Sequence, residues 1–266
     1  MYWTINALVF YLGAIVGSFL NVCIHRIPRE ESIVSPPSHC PHCRKPIKPY
    51  HNIPILSYII LRGRCRSCRG TISPRYLFVE LLTAFCFLAL YLLYCETVPL
   101  MILYIAFACS LIVAALIDLE HQIIPDEISL PGIAFGIIAS VAYPRLQHTD
   151  SHLDALTASV IGALVGGGIF WIIRIAGSRI FRREAMGLGD VKLMAYIGAL
   201  LAWKLVLITT FFAALIGSAA GLFLIAIGRA DLGSRLPFGP FLCTGAVLSM
   251  LYGRTFIVWY IALFHV

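Results

Sequence analysis

The chain has 266 residues, 60% of them hydrophobic and only 12% charged, with a formal net charge of +7 and a mean hydropathy of +0.89. Soluble domains run near about 45–50% apolar and 25% charged, so a single water-soluble core is excluded and lipid is the main solvent. The basic residues lie in short loops between apolar runs and not on one soluble face, which argues against a nucleic-acid partner and reads as a signal of membrane topology.

Apolar runs that can cross a hydrocarbon core of about 30 Å predict eight helices, at about 3–22, 76–94, 98–117, 128–143, 156–177, 191–202, 204–228 and 238–262. The first, Trp3 to Val22, has no basic segment before it and no small-x-small cleavage motif, so it reads as a retained span. Ten Lys and Arg residues fall between His25 and Arg75, four between Arg179 and Lys192 and two between Arg229 and Arg235, sixteen of the twenty in the chain. The positive-inside rule makes that side cytoplasmic and leaves both termini on the other side. The expected fold is an all-α polytopic membrane protein of about eight transmembrane helices with a small cytoplasmic zinc-binding loop domain. Its parts are a first transmembrane helix (1–24), the loop domain (25–75) and a membrane domain (76–266), with no soluble repeat or low-complexity linker.

The loop domain carries Pro36, Pro37, Pro41 and Pro46 and two cysteine pairs, Cys40-Pro-His-Cys43 and Cys65-Arg-Ser-Cys68, separated by 21 residues. Each CxxC forms a tight turn that points two sulfurs at one ion, and two such turns at this spacing predict a four-thiolate zinc site. With all four positions taken by protein, the metal is structural. Cysteine without metal is the alternative, and it fits less well in a loop that faces a reducing compartment. His39 and His42 are reserve ligands. Cys23, Cys86, Cys95, Cys109 and Cys243 read as small packing residues.

Acids that abut membrane spans are costly, at least ~2.5 kcal/mol each on insertion scales, and so are functional candidates. Asp118 ends the apolar run 100–117, and Asp190 follows Gly187-Leu188-Gly189 and opens the run from Val191. Asp190 taken alone reads first as a helix N-cap, and Asp126 after Pro125 has the same reading. Asp118 has no such reading, because the C-terminal end of a helix disfavours an anion. Both fall at the cytoplasmic face. Two carboxyls that share a site cannot easily both ionise, which is the aspartic-protease arrangement: one takes a proton from water, the other donates to the scissile carbonyl. Which aspartate takes which role is open, and Glu120, Asp126 and Glu127 compete with Asp118 for its place.

Several elements join this pair in one order along the chain: Gly17-Ser18-Phe19-Leu20-Asn21-Val22, Arg26-Ile27-Pro28, the two CxxC pairs, Asn52-Ile53-Pro54, Arg62-Gly63-Arg64-Cys65, Ile72-Ser73-Pro74-Arg75-Tyr76, Val79-Glu80-Leu81, Ile117-Asp118 to Pro125-Asp126, Gly187-Leu188-Gly189-Asp190-Val191-Lys192 and Pro237-Phe238-Gly239-Pro240. In this set the chain resembles the bacterial prepilin peptidases, membrane aspartyl peptidases of the Gly-x-Gly-Asp type that are also N-methyltransferases. The resemblance implies that Asp118 and Asp190 are catalytic and that the enzyme is an aspartic endopeptidase of the bacterial cytoplasmic (inner) membrane. It implies prepilin and type II secretion pseudopilin substrates, whose basic leader is cut off just before an apolar helix. It also implies S-adenosylmethionine as methyl donor; the residues themselves identify no donor site, and the loop from Arg26 to Arg75 is the expected place of methyl transfer.

The remaining polar residues have structural readings. Gly166-Gly167-Gly168 lies inside a span and reads as helix packing. Asn21 and Glu80 read as polar partners at the membrane boundary, Lys192 as a snorkelling cation or a holder of an anionic group, and Pro237 to Pro240 as the start of the last span. His148, Asp150, His152 and Asp154 read as a solvated outer loop. Two rival functions fit the composition: an ion-relay transporter, which would place its acids at the midplane, and a non-catalytic assembly protein docking through its zinc loop.

Overall fold

The computed structural model describes residues 2–40, 42–182, 186–229, 231 and 236–264. Pro41 of the first cysteine motif and Arg183 and Arg235 of the basic loops lie outside them. The chain divides into two compact units, Met1–Val113 and Ala114–Val266. Among the described residues eight α-helices form the fold: α1 (Tyr2–Arg26), α2 (Leu56–Ile60), α3 (Arg75–Tyr94), α4 (Val98–His121), α5 (Asp126–Ala142), α6 (His152–Phe181), α7 (Leu188–Ala226) and α8 (Gly239–Phe264). Among the described residues six are long and apolar enough to cross a membrane: α1, α3, α4, α6, α7 and α8. The difference from about eight has two sources. Helix α5 has only 17 residues, and the expected sixth and seventh spans are the two arms of the 39-residue α7.

In the first unit α1 and α3 pack antiparallel through small residues. A Cβ on Gly13 would lie 2.8 Å from the Ala84 Cα, and one on Gly17 would lie 2.8 Å from the Glu80 Cα, a close backbone approach of the small-xxx-small kind. Asn21 and Glu80 do not pair with each other. The Asn21 amide donates to the Tyr76 carbonyl (3.1 Å), and Glu80 Oε2 accepts the Ile55 N–H (2.7 Å). Arg26, 6% exposed, donates to the Ser32 and Pro36 carbonyls and so fixes the loop that follows α1.

In the second unit α7 is broken at Ala202 (φ 63°, ψ 167°). Its contacts show that the chain reverses there. Along the first arm, 188–201, Gly166 lies on Met194, Gly132 on Tyr196 and Gly162 on Gly198 and Ala202; along the second, 203–226, Gly253 lies on Leu205, Gly245 on Thr209 and Ala213, and Gly217 on Phe241 and Phe238. The first arm therefore leaves the end where Asp190 sits, and the second returns to the end where α8 begins. A reversal removes the helical N–H partners of the last carbonyls of the first arm, which in a membrane must be met from inside the protein. Ser159 Oγ donates to the Ala199 carbonyl (2.6 Å), and the Gln147 amide donates to the carbonyls of Ala199 (3.0 Å) and Leu200 (3.2 Å).

The tightest packing holds the first arm of α7 to α6. A Cβ on Gly162 would lie 2.1 Å from the Gly198 carbonyl oxygen, and one on Gly198 would lie 2.0 Å from that of Gly162. Of the glycine triplet, Gly166 and Gly167 face Met194 and Ala195, whereas Gly168 meets nothing within 4 Å. Gly162, one helical turn earlier, is the more crowded position. Gly162→Leu should therefore force α6 and α7 apart and destabilise the second unit by at least ~1–3 kcal/mol, read as a lower midpoint of thermal unfolding in detergent. The same change at Gly168 should leave the midpoint near that of the unaltered protein.

Candidate active site and candidate metal centre

The starts of α5, α7 and α8 and the last turn of α4 meet at one end of the second unit. Asp118 lies in that last turn, three residues before the helix ends, and is 6% exposed. Its Oδ2 accepts the N–H of Gly239 (2.9 Å), the first residue of α8. The anion sits at the unfavourable pole of its own helix and is met by the favourable pole of another. A Cβ on Gly239 would lie 2.7 Å from that oxygen, so only glycine allows the approach. Phe238, with ring centroids 6.4 Å from Phe170 and 6.3 Å from Phe241, anchors the chain just before it.

Asp190 is half-buried. The N-cap of α7 is Gly187, so Asp190 occupies the third helical position instead of the cap, and its carboxylate reaches back to accept the Gly187 N–H, as the acid of a capping box does. The two carboxylates lie within electrostatic range of each other and of the buried Cys243, one turn beyond Gly239 on α8. The pair thus sets two carboxyls in one partly buried site, each bound to a backbone N–H.

The competing acids differ from the pair in exposure or in partner. Glu120 and Glu127 are exposed. Asp126 is the first residue of α5 behind the N-cap Pro125, so it is not a cap; both its oxygens accept from Lys192 Nζ (2.6 and 2.7 Å). Lys192 thus holds an anionic group, the second of its two expected roles.

In the first unit the Sγ atoms of Cys40, Cys43, Cys65 and Cys68 all lie within 4.8 Å of one another. The Cys40 and Cys68 sulfurs are 3.9 Å apart, close to the ~3.8 Å between two sulfurs bound tetrahedrally at about 2.3 Å from zinc. The two turns share their hydrogen bonding, a repeat that inspection of the sequence passes over. Arg44 N–H bonds the Cys40 carbonyl and Cys40 N–H the Lys45 carbonyl; Arg69 N–H bonds the Cys65 carbonyl and Cys65 N–H the Gly70 carbonyl. Both arginines take the left-handed conformation (φ 56° and 59°). The N–H groups of Cys68 and Ser67 point at Cys65 Sγ and pull its thiol down to about 6, toward the thiolate that binds metal. The cluster is thus compatible with zinc. Neither histidine is needed for a complete set, and His42 bonds the Thr71 carbonyl.

An open cavity of about 490 Å³ also lies in the first unit, lined by Tyr11, Ile15 and Phe19 of α1 and by Arg26, Ser38 and Asn52 among others. None of its lining residues is a carboxylate, and the lining identifies no site for a methyl donor.

Residues 11–94 match the Bacterial Peptidase A24 N-terminal domain, and residues 105–222 match the Type IV leader peptidase family. Relatives carrying the name prepilin leader peptidase/N-methyltransferase include a protein of Aeromonas hydrophila, 32% identical over 289 residues that cover 98% of this chain and 96% of the relative. The chain belongs to this family. A Pseudomonas aeruginosa relative is 33% identical over 91% of this chain and 88% of its own length. One from Myxococcus xanthus is 42% identical over 84% of this chain and 64% of its own. No solved structure matches the chain. With six long apolar helices and this membership, it is a multi-pass membrane protein of a bacterial family.

Two contacts of the site are not evident from the sequence, the Gly239–Asp118 bond and the Asp126–Lys192 pair. Gly239 reads as a helix start, and the sign of its role is that a glycine stands between Phe238 and Pro240, where the first free N–H of a helix can point at an acid. The Asp126–Lys192 pair spans 66 positions, and no local pattern reveals it.

Two outcomes follow from these geometries. Gly239→Ala should push the Asp118 carboxylate out of place and lower turnover roughly 100-fold, the scale of an ångström of misplacement, with the fold kept as judged by thermal unfolding. Metal analysis of the purified protein should find about one zinc ion per chain, and Cys65→Ser should lower thermal stability before it affects peptide-bond chemistry.

Proposed function

We propose that the chain cleaves the basic leader from prepilins and type II secretion pseudopilins, with Asp118 and Asp190 as its catalytic pair. The observation that carries this reading is the convergence of the two carboxylates at one end of the second unit, each turned toward the N–H of a glycine at a helix start. The ionised carboxylate takes a proton from water, the resulting nucleophile attacks the scissile carbonyl, and the protonated partner donates to the carbonyl oxygen. Collapse of the tetrahedral adduct breaks the C–N bond, and the departing amine takes a proton from the pair. Metal plays no part in these steps: the cysteine cluster, read as a structural zinc site, supports the first unit.

The cation-rich loops support a cytoplasmic site at the inner membrane, because all the acids of the pair's neighbourhood stand at the end of the helices that faces those loops in sequence. A substrate whose basic leader remains in the cytoplasm presents the bond before its apolar helix at that level. The relatives' shared name also includes N-methyltransferase; we extend this to the chain, with S-adenosylmethionine donating a methyl group to the amine that cleavage releases.

The decisive measurement is mass spectrometry of a prepilin incubated with the protein, with and without S-adenosylmethionine. The unaltered protein should remove the leader, and the donor should add about 14 Da, one methylene equivalent, to the new N-terminus. Asp118→Asn and Asp190→Asn should each abolish cleavage while both proteins unfold at the normal temperature. Cleavage retained by either variant overturns the assignment, and an intact zinc loop with no cleavage at all would favour the docking reading.

A further inference from the structure

The connection between α4 and α5 is held from the first turn of α7 at two points. Helix α4 ends at His121 and is followed by Gln122 in the left-handed conformation (φ 55°), and residues 123–125 lead directly into α5. Gly189 lies against Ile124 so closely that a Cβ would stand 2.8 Å from the Ile124 Cβ and 3.3 Å from its backbone N and O. Lys192, two residues beyond Asp190, spans both oxygens of Asp126 at 2.6 and 2.7 Å. Asp118 is four residues before the start of the clasped segment and Asp190 lies between the two residues that clasp it. The backbone contact brings the strands of chain together but does not by itself fix their register; an ion pair to both oxygens does.

We infer that Asp126 and Lys192 are positioning residues that set the separation of the Asp118 and Asp190 carboxylates by locking the start of α7 to the segment that follows α4. The inference rests on the reading of those aspartates as the catalytic pair. The ion pair touches neither carboxylate through a recorded hydrogen bond; it acts on the two backbones that carry them. Its side chains are 31% and 55% exposed, so neither fills the core, and their loss leaves the glycine-mediated packing of α6 and α7 in place. A shift of an ångström between a base and the acid that must act with it is enough to lower turnover by orders of magnitude.

The test compares Asp126→Asn, Lys192→Met, the double variant and Lys192→Arg in the full-length protein, with a precursor of basic leader and apolar helix as substrate. Each neutralising variant should lower kcat by roughly ten- to a hundredfold and leave KM within about threefold, since substrate binding is not what the pair supports. The double variant should be no slower than the worse single one, because the two residues act as a unit. Lys192→Arg, which retains contact with both oxygens, should keep most of the activity. Hydrogen exchange of residues 121–128 supplies a readout that needs no turnover: it should quicken in both neutralising variants and not in Lys192→Arg. Lost activity in Lys192→Met with full activity in Asp126→Asn would overturn the inference in favour of a lysine that contacts substrate. Normal turnover or unchanged exchange in both single variants would overturn it outright. Failure of the unaltered protein to cleave any precursor would instead strike the peptidase reading, and the exchange result would still decide whether the clasp exists.

Discussion

A carboxylate buried at the C-terminal end of an apolar helix needs a donor, and here the donor is the first N–H of another helix. Asp118 bonded to Gly239 ties the end of α4 to the start of α8, and the rest of the second unit is arranged so that this bond forms away from lipid. The reversal at Ala202 brings the second arm of α7 back to lie beside α8 from Leu205 to Gly217, and this contact presents Gly239 at the right level. Phe238, wedged against Phe170, sets the approach from the side of α6. Without the glycine the two helices could not meet so closely; without the reversal they would not meet at that end.

Both units pack helices through glycine positions, but the loop of the first depends on something else. In the second, glycine positions let backbones touch, and the carbonyls freed at the reversal are met by Ser159 and Gln147. The loop of the first has almost no interior: among the described residues between 30 and 75, only Cys40, Pro54 and Gly63 are buried. A segment with so little apolar burial cannot offset the entropy of ordering its chain. A structural metal contributes on the order of 10 kcal/mol to such a segment, and four sulfurs within 4.8 Å are placed to receive one.

Much of this was legible in the sequence because it follows from local rules. Hydropathy located the long helices, including the boundary between the arms of α7, but not the short α2. The CxxC spacing located the cysteine cluster, and the dipole argument singled out Asp118 before any geometry was known. What escaped notice depends on contacts between distant positions. Asp126 and Lys192 each have an ordinary reading alone, as a cap and as a snorkelling cation, and only their meeting gives them a role. Asp190 was legible as an acid near a helix start but not as the residue that reaches back to Gly187. Glycines are the least legible of all: Gly162 and Gly168 look alike in sequence, yet one is pressed against a carbonyl and the other faces nothing.

The length of the first arm of α7 bears on the depth of the two aspartates. Residues 188–201 span roughly 21 Å as a helix, against a hydrocarbon layer of about 30 Å. At the reversal Trp203 and Lys204 stand together, the lysine 5.7 Å from the indole centroid, a pairing suited to the membrane interface. If the reversal marks one interface, the start of the arm lies roughly 9 Å short of the other, and Asp190 with it, unless the bilayer thins around this unit. Charged groups at such a depth need partners. Asp118 has the Gly239 N–H, Asp190 has that of Gly187, and Asp126 and Lys192 neutralise each other beside them.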